Sequence, residues 1–203
     1  MKRVCAILLL FLLPAFFANS AFAYRIADKS LLQEASVYAT TRHNLEWDAF
    51  FAPWTVFEER SPMLKLPSER AIVYTPFLLA AIETKQYIDQ NKTVDDGKIT
   101  EVLKSYENNF VVCTILRSSR PFTAASLSAI AQQDNRIIKP HYVHGEPLID
   151  LKQSGQAAAP SYEMRVYFYF RQAQINPGLP VTLLVFEPER NARRFLLSLN
   201  SIN

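Results

Sequence analysis

The stretch EMRVYFYFR, residues 163–171, alternates apolar and polar or aromatic side chains with the clearest period of two in the chain. Successive side chains of a β-strand point to opposite faces, so this stretch predicts a strand that buries one side. The apolar side consists of Met164, Val166, Phe168 and Phe170. The opposite side consists of two cations and two phenols: Arg165, Tyr167, Tyr169 and Arg171.

The same period extends over the C-terminal half of the chain. An apolar run, FVVCTILR at 110–117, precedes shorter strand-like segments at 126–131, 136–143, 147–152, 181–186 and 195–199. The last two flank a charged turn and predict a hairpin. About seven short strands over about 95 residues are typical of an antiparallel β-sandwich, so we predict an immunoglobulin-like sandwich for residues 109–203.

Residues upstream of 109 follow a helical period instead. Apolar side chains recur three and four positions apart in the segments 28–45, 47–57, 68–88 and 99–110. Pro53 is expected to bend or end the second segment, and Thr93 with Asp96 resembles a capping box before the fourth. We therefore predict an α+β protein, with a helical region at 24–108 followed by the sandwich.

The first 23 residues, MKRVCAILLLFLLPAFFANSAFA, have the three parts of a secretory signal peptide. Two cations precede an apolar run, and Ala21 and Ala23 are the small residues expected at a cleavage site. The alternative, an uncleaved anchor, is disfavoured because Pro14 breaks an apolar run shorter than the ~20 residues that span a bilayer. We predict cleavage after Ala23, a periplasmic or secreted protein, and no stable membrane anchor after cleavage.

Composition narrows the possible functions. The chain has 203 residues, a formal net charge of +3 and 49% hydrophobic residues, which excludes a disordered scaffold. Lys2 and Arg3 are the only charges in the signal segment, so the remainder has 20 basic and 19 acidic residues. This balance supplies no concentrated basic surface, so we do not expect nucleic acid as a partner. No phosphate-binding glycine motif is present among the four glycines, and we predict no cofactor.

Cys113 is the single cysteine after the signal segment, within the apolar run 110–117. We predict a buried small hydrophobe. The alternatives are that Cys113 is a nucleophile or forms an intermolecular disulfide.

Two patterns resemble metal sites, and we predict that neither binds a metal. Centring an EF-hand loop on Gly97 puts Lys92, Val94 and Leu103 at ligand positions that need oxygen, so we predict a helix-entry turn there. His141 and His144 point to opposite faces if they lie in a strand. A zinc site that recruits Glu146 or Asp150 is the alternative, and we predict no metal.

Carboxylates close to tryptophans suggest a second kind of protein. A glycosidase needs two carboxyl groups about 5–10 Å apart, and aromatic platforms often bind its sugar. Both kinds of residue are present here, because Trp47 and Trp54 are close in sequence to the acids Glu46, Asp48, Glu58 and Glu59. A carbohydrate-active hydrolase that uses carboxylates of the helical region is therefore the alternative function.

The polar face of 163–171 is the predicted binding site. Tyr and Arg are enriched at binding hot spots because they combine contact area with hydrogen bonding, and such rings also suit sugar stacking. Packing of the helices on this face is the alternative. The turn cations Arg190, Arg193 and Arg194 are expected to be solvated, with anion recognition as the alternative. We therefore predict an exported, non-enzymatic binding module whose partner is a protein or an envelope component; the sequence leaves its oligomeric state open.

Overall fold

A computed structural model of the protein describes residues 29–60, 68–151, 162–188 and 191–199. The predicted signal peptide and Arg190 lie outside these residues. The described part is α+β, with four helices and two antiparallel sheets. The helices are α1 (Lys29–Arg42), α2 (Trp47–Phe51), α3 (Pro76–Asp89) and α4 (Asp96–Ser105).

The strands form two sheets. The first has the order β1-β2-β3-β8-β6, and β7 pairs with β8 beside β6. Its strands are β1 (Thr55–Phe57), β2 (Arg70–Tyr74), β3 (Asn109–Ser118), β6 (Tyr142–Gly145), β7 (Ile149–Asp150) and β8 (Tyr162–Arg171). The second has the order β10-β9-β4-β5. Its strands are β4 (Ser128–Gln133), β5 (Arg136–Ile138), β9 (Val181–Phe186) and β10 (Arg193–Leu197). The hairpin of β9 and β10 is confirmed, whereas the immunoglobulin-like form of the sandwich is not.

The helical prediction is wrong for Arg70–Tyr74, which forms β2 and pairs with β3 over five residues. The apolar positions that suggested one long helix belong to a buried strand followed by a helix. Thr75 separates the two, because its hydroxyl accepts a hydrogen bond from the Leu78 amide at 3.1 Å and caps α3. Pro76 follows at the first helical position, where it needs no hydrogen-bond partner.

The helix-entry turn at Gly97 is confirmed, but its cap differs from the predicted one. Asp95 rather than Thr93 caps α4, accepting hydrogen bonds from the amides of Gly97 and Lys98 at 2.9 and 3.1 Å. A carboxylate at this position also interacts favourably with the helix dipole. Asp95 is therefore engaged in helix capping.

Strands β3 and β8 pair over ten residues, from Asn109 with Arg171 to Ser118 with Tyr162. The alternation of β8 is confirmed, because all four predicted apolar residues are buried. They share one hydrophobic cluster with the inward side chains of the second sheet, such as Leu183 and Phe195. The β3–β8 pair thus separates a face that packs on the second sheet from a face that carries Arg165.

A buried ion-pair network joins the two sheets at one end. Arg193 of β10 is only 2% exposed and donates to Glu69 at 2.8 Å and to Glu187 at 2.7 Å. It also donates to the carbonyl of Arg117 in β3 at 3.1 Å. The expectation of a solvated Arg193 is therefore wrong, because its guanidinium is enclosed by the chain. Its neighbour Arg194 remains half exposed and pairs with Glu59 at 3.1 Å.

This difference predicts unequal effects of two adjacent substitutions. Arg193→Ala should lower the free energy of unfolding by about 3–5 kcal/mol, because buried carboxylates lose their partner. Arg194→Ala should lower it by less than about 1 kcal/mol, because its pair is exposed. Urea unfolding of both variants measures the difference, and equal losses would contradict a structural role for Arg193.

Candidate functional site

An open cleft of about 540 Å³ lies between the helices and the polar face of β8. Its floor consists of side chains from β2, β6 and β8, and its walls come from α2, α3 and the end of α4. The helices therefore cover this face of the sheet only in part. Three of the four predicted binding residues line the cleft: Arg165, Tyr167 and Tyr169. Arg171 does not line it and is exposed at the end of β8.

Tyr167 is held at the floor of the cleft. Its hydroxyl donates a hydrogen bond to Glu146 at 2.6 Å, and its ring meets that of Tyr74 edge to face with centroids 5.7 Å apart. The β6–β8 pairing places His144 opposite Tyr167. Burial raises the pKa of Tyr167 above the ordinary tyrosine value, so the phenol stays protonated and remains a donor.

Arg165 has a different environment. It is half buried, and its guanidinium forms no hydrogen bond or ion pair with the residues that the structure describes. Burial works against its charge, but Glu146 and other neighbours together raise its pKa above the usual arginine value. The guanidinium therefore keeps its charge and offers its N–H donors to the cleft.

Aromatic rings continue from the cleft to the edge of the sheet. Tyr169 lies between Tyr106, stacked at 6.2 Å, and Tyr142, at 5.3 Å between centroids. Tyr142 is 55% exposed on the edge strand β6. Sequence reasoning missed Tyr142 and named Glu146 only as a possible zinc ligand, although Tyr142, His144 and Glu146 alternate as the polar face of β8 does.

The opposite wall of the cleft belongs to the helices. Trp47 stacks on Phe51 at 5.4 Å, and the ammonium of Lys85 lies 4.9 Å from the centre of the Trp47 ring. Lys85 is buried, donates to the carbonyl of His43 and pairs with Asp89 at 3.0 Å. This cation–π contact orients the indole at the cleft.

Glu83 is the carboxylate of α3 that lines the cleft. Burial raises the pKa of Glu83 above the ordinary glutamate value. Its partly buried position therefore favours the protonated form.

The four acids predicted for a hydrolase do not line this cleft. Asp48 pairs with Arg70 at 2.7 Å, and Glu59 pairs with Arg194. Glu58 is buried and accepts hydrogen bonds from the amides of Arg60 and Arg194. Glu46 is exposed at the start of α2. Their two tryptophans also separate, because Trp47 lines the cleft whereas Trp54 is buried.

Cys113 is buried in β3, opposite Tyr167, which confirms the predicted small core residue. Burial raises the pKa of its thiol to about 12. Since a thiolate is the nucleophilic form, this shift disfavours the alternative of a nucleophilic Cys113.

His141 and His144 are both exposed. Glu146, the suggested zinc ligand, instead accepts the Tyr167 hydrogen bond. Across the described ranges, no three His, Cys, Asp or Glu side chains come together as a metal site.

A second cavity, of about 600 Å³, adjoins the cleft and shares Tyr74, Leu79 and Tyr106 with it. Its lining includes Leu103 and Ile175, so it is the more apolar of the two spaces. Tyr74 and Tyr106 thus form a wall between a polar, aromatic cleft and an apolar cavity.

No protein-family model matches this chain, and no curated protein is significantly similar to it. Of the helices in the described ranges, none combines the length and apolar character needed to cross a bilayer.

Proposed function

We propose that this chain is an exported, non-enzymatic protein that binds a protein or another envelope component in the cleft. Arg165 is the observation that carries the proposal. Its half-buried guanidinium forms no hydrogen bond or ion pair with the described residues, so it retains donors that a ligand can satisfy. Tyr167 and Tyr169 beside it supply large, rigid contact areas. The proposed partner is not a nucleic acid, because the chain has nearly equal numbers of basic and acidic residues.

Export rests on the signal pattern of residues 1–23, and the proposed location is the periplasm or the exterior. Protein recovered from the exported fraction should begin at Tyr24, as N-terminal sequencing can establish. An intact Met1 in that fraction would contradict cleavage. A variant with the small residue replaced, Ala23→Leu, should be processed poorly and serves as the control.

Binding in the cleft predicts different effects of two arginines on the same strand face. Arg165→Ala should weaken capture of the partner from an envelope extract by roughly tenfold, the loss typical of a binding hot spot. Arg171→Ala is the matched control, because Arg171 is exposed outside the cleft, and it should bind as the unchanged protein does.

Both variants should keep the urea unfolding midpoint of the unchanged protein, because neither guanidinium forms a hydrogen bond or ion pair with the described residues. Equal capture by all three proteins would refute binding at this cleft.

A carbohydrate-active hydrolase is the second candidate function, and Glu83 favours it. This carboxyl of the helical region lines an aromatic cleft together with Glu146. Glycoside hydrolysis uses two carboxyl groups, and burial raises the pKa of Glu83 in the direction that its acid requires. The protein should then release reducing ends from an oligosaccharide, and Glu83→Gln should abolish release while Glu59→Gln, outside the cleft, retains it. Absence of release from every sugar tested would remove this candidate.

A further inference from the structure

We infer that the ligand of this cleft is an uncharged oligosaccharide of pyranose units. The inference rests on the proposed function, because it names the chemical class that the same cleft binds. It also goes beyond that function, since a protein or a charged envelope component would satisfy the proposal equally well.

The aromatic surface is the first observation. Flat rings with apolar faces pack against the C–H faces of sugar rings, and aromatic platforms are usual in sugar subsites. Trp47 on the helical wall and Tyr169 on the floor both line the cleft, so a sugar ring entering it meets aromatic side chains from two elements. Trp47 is fixed by Lys85 and Phe51, which lowers the entropy lost when a ligand packs against it.

The polar groups are the second observation, because they include both donors and acceptors. Arg165 donates and Glu146 accepts, and the Tyr167 hydroxyl can accept a hydrogen bond while it donates to Glu146. Sugar hydroxyls both donate and accept, so they can satisfy such a mixed set. A purely apolar ligand would leave the Arg165 and Glu146 groups desolvated without new partners.

The charges that line the cleft favour an uncharged sugar over an anionic one. Among the described lining residues, Arg165 is the one cation, whereas Glu83 and Glu146 are acids. An anionic sugar drawn to Arg165 would meet at least the carboxylate of Glu146, whose charge Arg165 already experiences. An uncharged sugar avoids this repulsion and keeps the hydrogen bonds.

The layout along the strands favours several sugar units. Residues two apart on one face are roughly 6.6 Å apart along a strand, so Arg165, Tyr167 and Tyr169 form three successive rows. The last row continues from Tyr169 to the exposed Tyr142 at the sheet edge. An oligosaccharide can follow this path from the cleft to the surface, whereas a monosaccharide would contact only one part of it.

Isothermal titration calorimetry on the purified protein, produced from the full chain, tests the inference. The probes are tetrasaccharides of glucose in α- and β-1,4 linkage, N-acetylglucosamine, mannose, xylose and galactose, with tetragalacturonate as the anionic probe. At least one uncharged probe should bind with a dissociation constant between about 1 μM and 1 mM, and tetragalacturonate should bind at least tenfold more weakly. The same probe should change the fluorescence of Trp47, and Trp47→Phe should remove that change.

Three variants localise the binding. Tyr169→Ala should weaken binding of the uncharged probe by roughly tenfold, whereas Tyr169→Phe, which keeps the ring, should retain it. Tyr142→Ala should weaken binding of a tetrasaccharide by about threefold to tenfold. Folding should be unaffected, because Tyr142 is 55% exposed. Arg171→Ala should change nothing.

Binding of none of the uncharged probes, or of tetragalacturonate alone, would overturn the inference. So would sugar binding that Tyr142→Ala and Tyr169→Ala leave unchanged. A different result would contradict the proposed function: capture of as much envelope material by Arg165→Ala as by the unchanged protein. A protein that binds no sugar and still requires Arg165 for capture would overturn the carbohydrate inference alone.

Discussion

Strands β3 and β8 pair over ten residues, and this pairing holds the centre of the first sheet. Because side chains alternate along both strands, this register assigns Phe168 to the buried side and Tyr167 to the cleft side at once. A shift by one residue would exchange the two faces of β8, burying Arg165 and exposing Phe168. The long pairing therefore fixes the core and the candidate site together.

Partial coverage of the sheet creates the cleft. Strand β2 pairs with β3, and the Arg70–Asp48 ion pair ties it to α2. The helices thus lie over one part of the face and leave β8 and β6 accessible from the other. The sequence left two alternatives for the polar face of β8, ligand binding and packing of the helices. Each describes part of the face, since helices form the walls of the cleft whereas Tyr142 remains exposed.

Two arginines, Arg193 in β10 and Arg165 in β8, serve different purposes. Arg193 is enclosed, with Glu69 and Glu187 as partners, and its charge is neutralised within the protein. Arg165 is half buried, and its guanidinium forms no ion pair in the part of the chain that the structure describes. One arginine therefore stabilises the contact between the sheets, whereas the other has donors to offer a ligand. Sequence reasoning placed Arg165 on a strand face and Arg193 in a charged turn, so it did not predict that Arg193 is the more deeply buried of the two.

Local periodicity and polarity were enough to predict the strand at 163–171, its two faces, the final hairpin and the burial of Cys113. The same reasoning misassigned Arg70–Tyr74, because a short buried strand before a capped helix imitates one helical stripe. The position of Glu83 and Glu146 in one cleft with Arg165, and the burial of Arg193, come from the folded arrangement of the elements. Those relations join residues distant along the chain, and they arise when strands pair and helices pack rather than from any local pattern.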